Sequence, residues 1–115
     1  METVNRVIDF RGADGPDLPW MPLRPGVEIC RLFTAADSGA SAALLRYEPG
    51  AEVPLHSHGG HELIAVLSGA QEDERGRYPA GTLVVNPPGS QHLVRAERGC
   101  VVLVMWERAV VFVEA

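Results

Sequence analysis

Three histidines and one glutamate carry the chemistry this sequence could do. His56 and His58 are separated by a single residue, a Gly59-Gly60 pair follows, and Glu62 comes next but one. In a β-strand successive side chains leave opposite faces, so His56 and His58 present both imidazoles to one side. The glycine pair lets the chain turn sharply at little steric cost, and a reversal there returns the Glu62 carboxylate to the two rings. His92 follows a second turn, Asn86-Pro87-Pro88-Gly89-Ser90-Gln91, and completes the group if that hairpin lies across from the first. Imidazole nitrogens with a carboxylate suit one divalent transition metal (Fe, Mn, Ni, Co or Zn) at about 2.0–2.2 Å per ligand. Calcium and magnesium prefer all-oxygen shells, and ligand type alone does not choose among the transition metals. No catalytic residue is assigned: Ser57 lies between the ligands and faces away, and no triad spacing is present.

Positioning these four side chains is work for strands. Val27–Thr34, Ser41–Tyr47, Glu62–Leu67, Leu83–Asn86, Val101–Trp106 and Val110–Val113 are short runs rich in apolar or β-branched residues. They are separated by Gly- and Pro-containing turns such as Glu48-Pro49-Gly50 and Ser68-Gly69. No capped stretch of helical length and 3.6 periodicity occurs; Ala35–Leu45 is the one ambiguous segment, and Gly39 with two serines weakens a helix there. This spacing predicts an all-β sandwich or barrel. The first 26 residues read as an irregular arm, with one short strand expected at Arg6–Phe10 and with Trp20 and Met21 packing on the domain or a neighbouring subunit. Residues 27–115 form the barrel.

With 115 residues the chain is one domain, large enough to bury a core without disulfides. Cys30 and Cys100 therefore read as reduced, small hydrophobes. A net charge of -5 argues against nucleic-acid or anionic-membrane partners, which call for clustered Lys and Arg. No apolar run is long enough to span a bilayer and no secretory leader is visible, so a cytoplasmic protein is expected. The run Gln71–Arg75 reads as a solvated hairpin tip. His61, next to Glu62, is expected on the opposite face; Tyr78, Arg46, Met105 and Trp106 are candidates to line a pocket. Because the imidazoles must be neutral to bind metal, affinity is expected to fall below pH ~6.5.

The pattern resembles the cupin superfamily. Gly50, His56, His58, Glu62 and Gly69 fill every fixed position of that family's first motif, G-x5-H-x-H-x3-E-x6-G. Gly81, Pro87, Gly89 and His92 fill four of the second, G-x5-P-x-G-x2-H-x3-N, where Ala96 replaces the usual Asn. Leu45-Arg46-Tyr47, the GRYPAG run at 76–81, the NPPGSQH run at 86–92 and Gly99-Cys100 are similar to the cupin domain of the ChrR anti-sigma factors, although His61-Glu62 stands where paired glutamates are common. The resemblance implies a single-domain jelly roll (a double-stranded β-helix), a metal held by His56, His58, Glu62 and His92, and a homodimer. It implies a metal-dependent dioxygenase-like activity on a small diketone or phenolic substrate. The alternative it implies is a non-catalytic metal- or ligand-sensing module. An anti-sigma role is not expected to carry over, because the arm is too short for the zinc-binding helical domain those factors use.

Overall fold

The computed structural model describes residues 6–9 and 18–113. Ten strands and no helix are present among them: β1 (Met21–Arg24), β2 (Val27–Thr34), β3 (Ser41–Tyr47), β4 (Ala51–His58), β5 (Glu62–Asp73), β6 (Gly76–Pro79), β7 (Leu83–Asn86), β8 (Gln91–Ala96), β9 (Cys100–Trp106) and β10 (Val110–Phe112). All pair antiparallel into one curled sheet of order β1-β2-β3-β9-β5-β8-β4-β10, with β6 and β7 on β5. The architecture is the expected all-β jelly roll. Arg6–Asp9 contain no strand, so the short strand expected there is not formed; Phe10 lies outside the described residues. The sheet instead begins at Met21, inside the stretch read as an arm. Trp20, just before it, packs on the domain with the Arg46 guanidinium 4.4 Å from its ring.

Strand β5 is longer than the Glu62–Leu67 run suggested, and its length organises the fold. Its first part pairs with β7 and β9, its last residues with β6 and β8. It passes from one layer to the other at an irregularity between Val66 and Ser68, the usual device for bending a strand across a barrel. Gly69 follows with φ of 69°, and a Cβ there would lie 2.2 Å from the Gly99 carbonyl oxygen. Both the conformation and the space therefore require glycine.

The interior is filled from both layers by Val27, Ile29, Leu45, Tyr47, Val53, Ile64, Val66, Val94, Val102 and Val104, with Ala96 fully buried among them. The turn beside Ala96 is held by backbone: the Ala96 carbonyl accepts from the N–H groups of Gly50 (2.8 Å) and Gly99 (3.1 Å). The missing Asn thus leaves the turn intact. The two ends of the sheet, β1 and β10, do not pair. They meet through Arg24, whose guanidinium carbon sits 5.1 Å from the centre of the Phe112 ring.

Candidate metal centre

The register of β4 against β8 brings the first and last of the four residues together. Val53 lies opposite Val94, but His56 lies opposite His92, a shift of one residue in between. Pro54 sits in that interval; it has no N–H to give to a ladder and is tolerated at such bulges. The shift has a large consequence. Val53 points inward, and strict alternation would send His56 outward, three residues on. The extra residue reverses the phase, so Val53, His56 and His58 are all buried. His58, at the end of β4, is tied to the Pro-Pro-Gly turn, where the His58 N–H donates to the Ser90 carbonyl (3.0 Å) and the Gly89 N–H to the His58 carbonyl (2.8 Å). Gly89, with φ of 86°, allows that turn. Glu62 opens β5 and points inward.

His56, His58, Glu62 and His92 are 4%, 3%, 4% and 1% exposed, and one ligand atom from each lies within 4.8 Å of the others. His56 Nε2 is 3.0 Å from His92 Nε2, and Glu62 Oε1 is 3.1 Å from His58 Nε2 and 3.6 Å from His92 Nε2. The far nitrogens are all engaged. His56 Nδ1 is 2.8 Å from the Pro54 carbonyl oxygen, an atom that can only accept. His58 Nδ1 is 2.8 Å from Ser90 Oγ, whose own hydrogen goes to the Pro87 carbonyl (2.7 Å). His92 Nδ1 faces Asp73 Oδ2 at 3.3 Å. Each partner calls for an Nδ1–H donor, which leaves three Nε2 lone pairs converging on one point beside a carboxylate oxygen. In that tautomeric state the two facing Nε2 atoms of His56 and His92 cannot hydrogen bond each other. His58 Nε2, though close to Glu62, makes no hydrogen bond at all. Buried acceptors with no donor are costly, and a cation resolves the conflict. The group could hold a metal ion, and its donor chemistry fits one.

Electrostatics agree. Burial lowers all three histidines, which keeps them neutral: His58 further through the Arg75 charge, His56 against the opposing Pro54 and Glu62 contacts, and His92 to about 4 with help from His56. Burial raises Glu62, opposed by hydrogen bonds from Trp106 Nε1 to Oε2 (2.7 Å) and from Asn86 Nδ2 to Oε1 (3.0 Å) that steady its charged form. Asp73 is also buried, which works to raise it, but the Arg75 N–H, Tyr78 O–H and His92 hold it below the ordinary carboxylate range.

Asp73, Asn86, Ser90 and Trp106 are thus the supports of the cluster, and the reading of the sequence gave a role to none except Trp106, as a pocket candidate. The run Gln71–Arg75 is only in part a solvated hairpin tip. Its tip turns at Glu74-Arg75, but Gln71 and the Asp73 side chain are buried, because β5 continues through them and period-2 alternation sends both inward. A cavity of about 430 Å³ opens beside the cluster, lined by His56, Glu62, His92 and Trp106. Arg46, Met105 and Tyr78 do not line it: Arg46 pairs with Glu28 (2.6 Å), Met105 is exposed, and Tyr78 donates to Asp73 (2.9 Å). His61 is exposed and pairs with Glu107 at 3.0 Å. No helix among the described residues is long and apolar enough to cross a membrane.

Comparison with known proteins gives three results. A family model described as the ChrR cupin-like domain matches residues 12–109. Over 93 residues, 81% of this chain, the sequence is 38% identical to the anti-sigma-E factor ChrR of Cereibacter sphaeroides, of which it spans 43%. Among solved structures, that of Rhodobacter sphaeroides SigE in complex with the anti-sigma ChrR is 35% identical, with a TM-score of 0.73 over 84% of this chain and 54% of the other. An acetylacetone dioxygenase from Acinetobacter johnsonii superposes over 99% of this chain and 81% of its own with a TM-score of 0.83, at 13% identity, a likeness of fold.

Proposed function

Because this chain belongs to the ChrR cupin-like domain family, we propose that it is a metal-holding sensing module in which His56, His58, Glu62 and His92 bind one divalent transition metal. One observation carries the reading: three Nδ1-anchored histidines and a fixed carboxylate aim four lone-pair donors at one buried point, and His58 Nε2 has no other partner. The metal would supply the positive charge that the four donors lack and a Lewis-acidic centre beside the cavity. The residues around it do the rest. Pro54, Ser90 and Asp73 fix the three tautomers, and Trp106 and Asn86 fix the carboxylate. A small molecule arriving in the cavity would alter this set and, through β4 and β8, the surface that a partner protein or second copy reads. The division into an arm (1–26), whose last residues add β1 to the edge of the sheet, and a barrel (27–115), a homodimer and a cytoplasmic setting belong to the same proposal.

The cavity favours a second reading. His56, Glu62 and His92 all face it, so a metal there would be reachable by a diketone or phenolic substrate and by O₂, as in a metal-dependent dioxygenase. One experiment separates the two. Protein purified without a nickel column is analysed for metal, then reconstituted anaerobically with Fe(II) and exposed to O₂ with a panel of diketones and phenols. The sensing reading expects stoichiometric metal and no substrate-dependent O₂ uptake. Substrate-dependent uptake replaces it with the enzyme. Failure to hold any transition metal at stoichiometry ends both.

A further inference from the structure

Resting on the metal-holding reading above, we propose that the cavity selects a small organic anion, a carboxylate or enolate on an apolar body, with Arg24 as its counter-charge at the open seam of the barrel. The chain as a whole is negative, at -5, yet the cavity lining inverts that balance. Among the described residues its formally charged members are Arg24, Arg31 and Glu62, alongside the two imidazoles of His56 and His92. Among the described residues Glu62 is the sole carboxylate on the lining, and its oxygens are already committed to Trp106, Asn86 and the cluster. A bound divalent cation would add further positive charge at that end.

Arg24 lies on the cavity lining. It ends β1, one free edge of the curled sheet, and reaches over the ring of Phe112 on β10, the other free edge. Phe112 in turn lies 5.7 Å, ring centre to ring centre, from His56. The guanidinium is thus joined to the cluster by one aromatic ring. Among the described residues no carboxylate pairs with Arg24. Its charge is felt inside, where it acts on both His56 and Tyr47. A half-buried guanidinium over an aromatic face is a recurrent seat for planar anions, because its N–H fork remains available at the edge. Much of the remaining lining is aliphatic (Ile29, Leu45, Val53, Ile64, Val94, Val104), with Thr34, Ser41 and a hydrogen-bonded Tyr47–Gln71 pair as its uncharged polar groups. The volume suits a ligand of modest size. An apolar wall around an electropositive end calls for an amphiphilic anion rather than a sugar, a polyamine or a nucleotide.

The test uses the full chain with benzoate and its neutral isostere benzamide as probes, titrated by calorimetry into Zn(II)-loaded protein and, in parallel, into metal-free protein. Benzoate should bind at least about tenfold more tightly than benzamide. Arg24→Met should weaken benzoate about tenfold and leave benzamide unchanged, Arg24→Lys should recover part of the loss, and Arg77→Met, an exposed position on β6, should change neither. Equal binding of the two probes overturns the inference, as does no binding of either at millimolar concentration or an Arg24→Met protein that binds benzoate like the parent. Metal content is measured on every sample. Stoichiometric zinc without Arg24 dependence sinks the anion inference alone. An Arg24-dependent preference in protein that takes up no zinc when Zn(II) is offered sinks the metal reading and leaves the anion site standing.

Discussion

Asp73→Asn is the most informative single change to the cluster. Asp73 is remote from both histidine turns in sequence, and its side chain is 3% exposed. Oδ1 accepts from the Arg75 N–H (2.8 Å) and the Tyr78 O–H (2.9 Å), while Oδ2 faces His92 Nδ1. In the asparagine variant the amide oxygen keeps the first two donors, so the NH₂ group is left facing His92. Two donors cannot face each other, and the imidazole must move its proton to Nε2 or rotate. Either response removes one of the four lone pairs from the centre. Losing such an outer partner of a metal-binding histidine costs about 10- to 100-fold in affinity, or roughly 1.4–2.8 kcal/mol. The assay is a Zn(II) titration against a chelator of known affinity, with urea unfolding of the metal-free protein as the control. Metal-free stability should change by about 1–2 kcal/mol. A variant that folds and binds zinc within twofold of the parent would refute the role given to Asp73 and the tautomer argument with it.

Other perturbations follow from the same geometry. Ser90→Ala removes the sole acceptor for His58 Nδ1 and should weaken zinc binding about tenfold in the same titration, whereas Ser57→Ala, whose hydroxyl points to the Val111 carbonyl, should not. Gly69→Ala drives a methyl into the Gly99 carbonyl at a positive φ, so a loss of several kcal/mol is expected, read as a lower urea midpoint or as insoluble protein. Saturating Zn(II) should stabilise the fold by about 4 kcal/mol at a thousand times Kd, and His56→Ala should abolish that gain in a thermal melt. Metal-free protein should lose stability as pH falls. Burial depresses the three histidines below 6.5 in the fold, so between 6.5 and their folded values, about 4 for His92, the unfolded chain binds more protons. Each such histidine then costs on the order of 1 kcal/mol per pH unit, opposed in part by Glu62, whose raised value favours the folded state toward acid. A urea midpoint that is flat or rises from pH 6.5 to 5 would contradict the neutral, buried assignment. The same depression moves the acid limit of metal binding below the pH ~6.5 expected of free imidazoles.

What could be read directly was local. The two-residue spacing of His56 and His58 and the Gly59-Gly60 turn before Glu62 are properties of short segments, where strand alternation and backbone sterics act regardless of the rest of the chain. The strand-rich, helix-free architecture was legible for the same reason. Which face the histidines take was not. Counting alternation from Val53 sends His56 outward, and only the register slip at Pro54, fixed by pairing with β8, turns it in. Asp73 and Gln71 sat in a charged run whose composition suggests solvent, and it is the unbroken course of β5 across both layers that buries them. Asn86, Ser90 and Trp106 reach the cluster from three different strands or turns, and Arg24 meets Phe112 across the seam between the sheet's two ends. Contacts between residues so far apart in the chain depend on register and curvature, and those are set by the packing of the whole sheet, which no local pattern encodes.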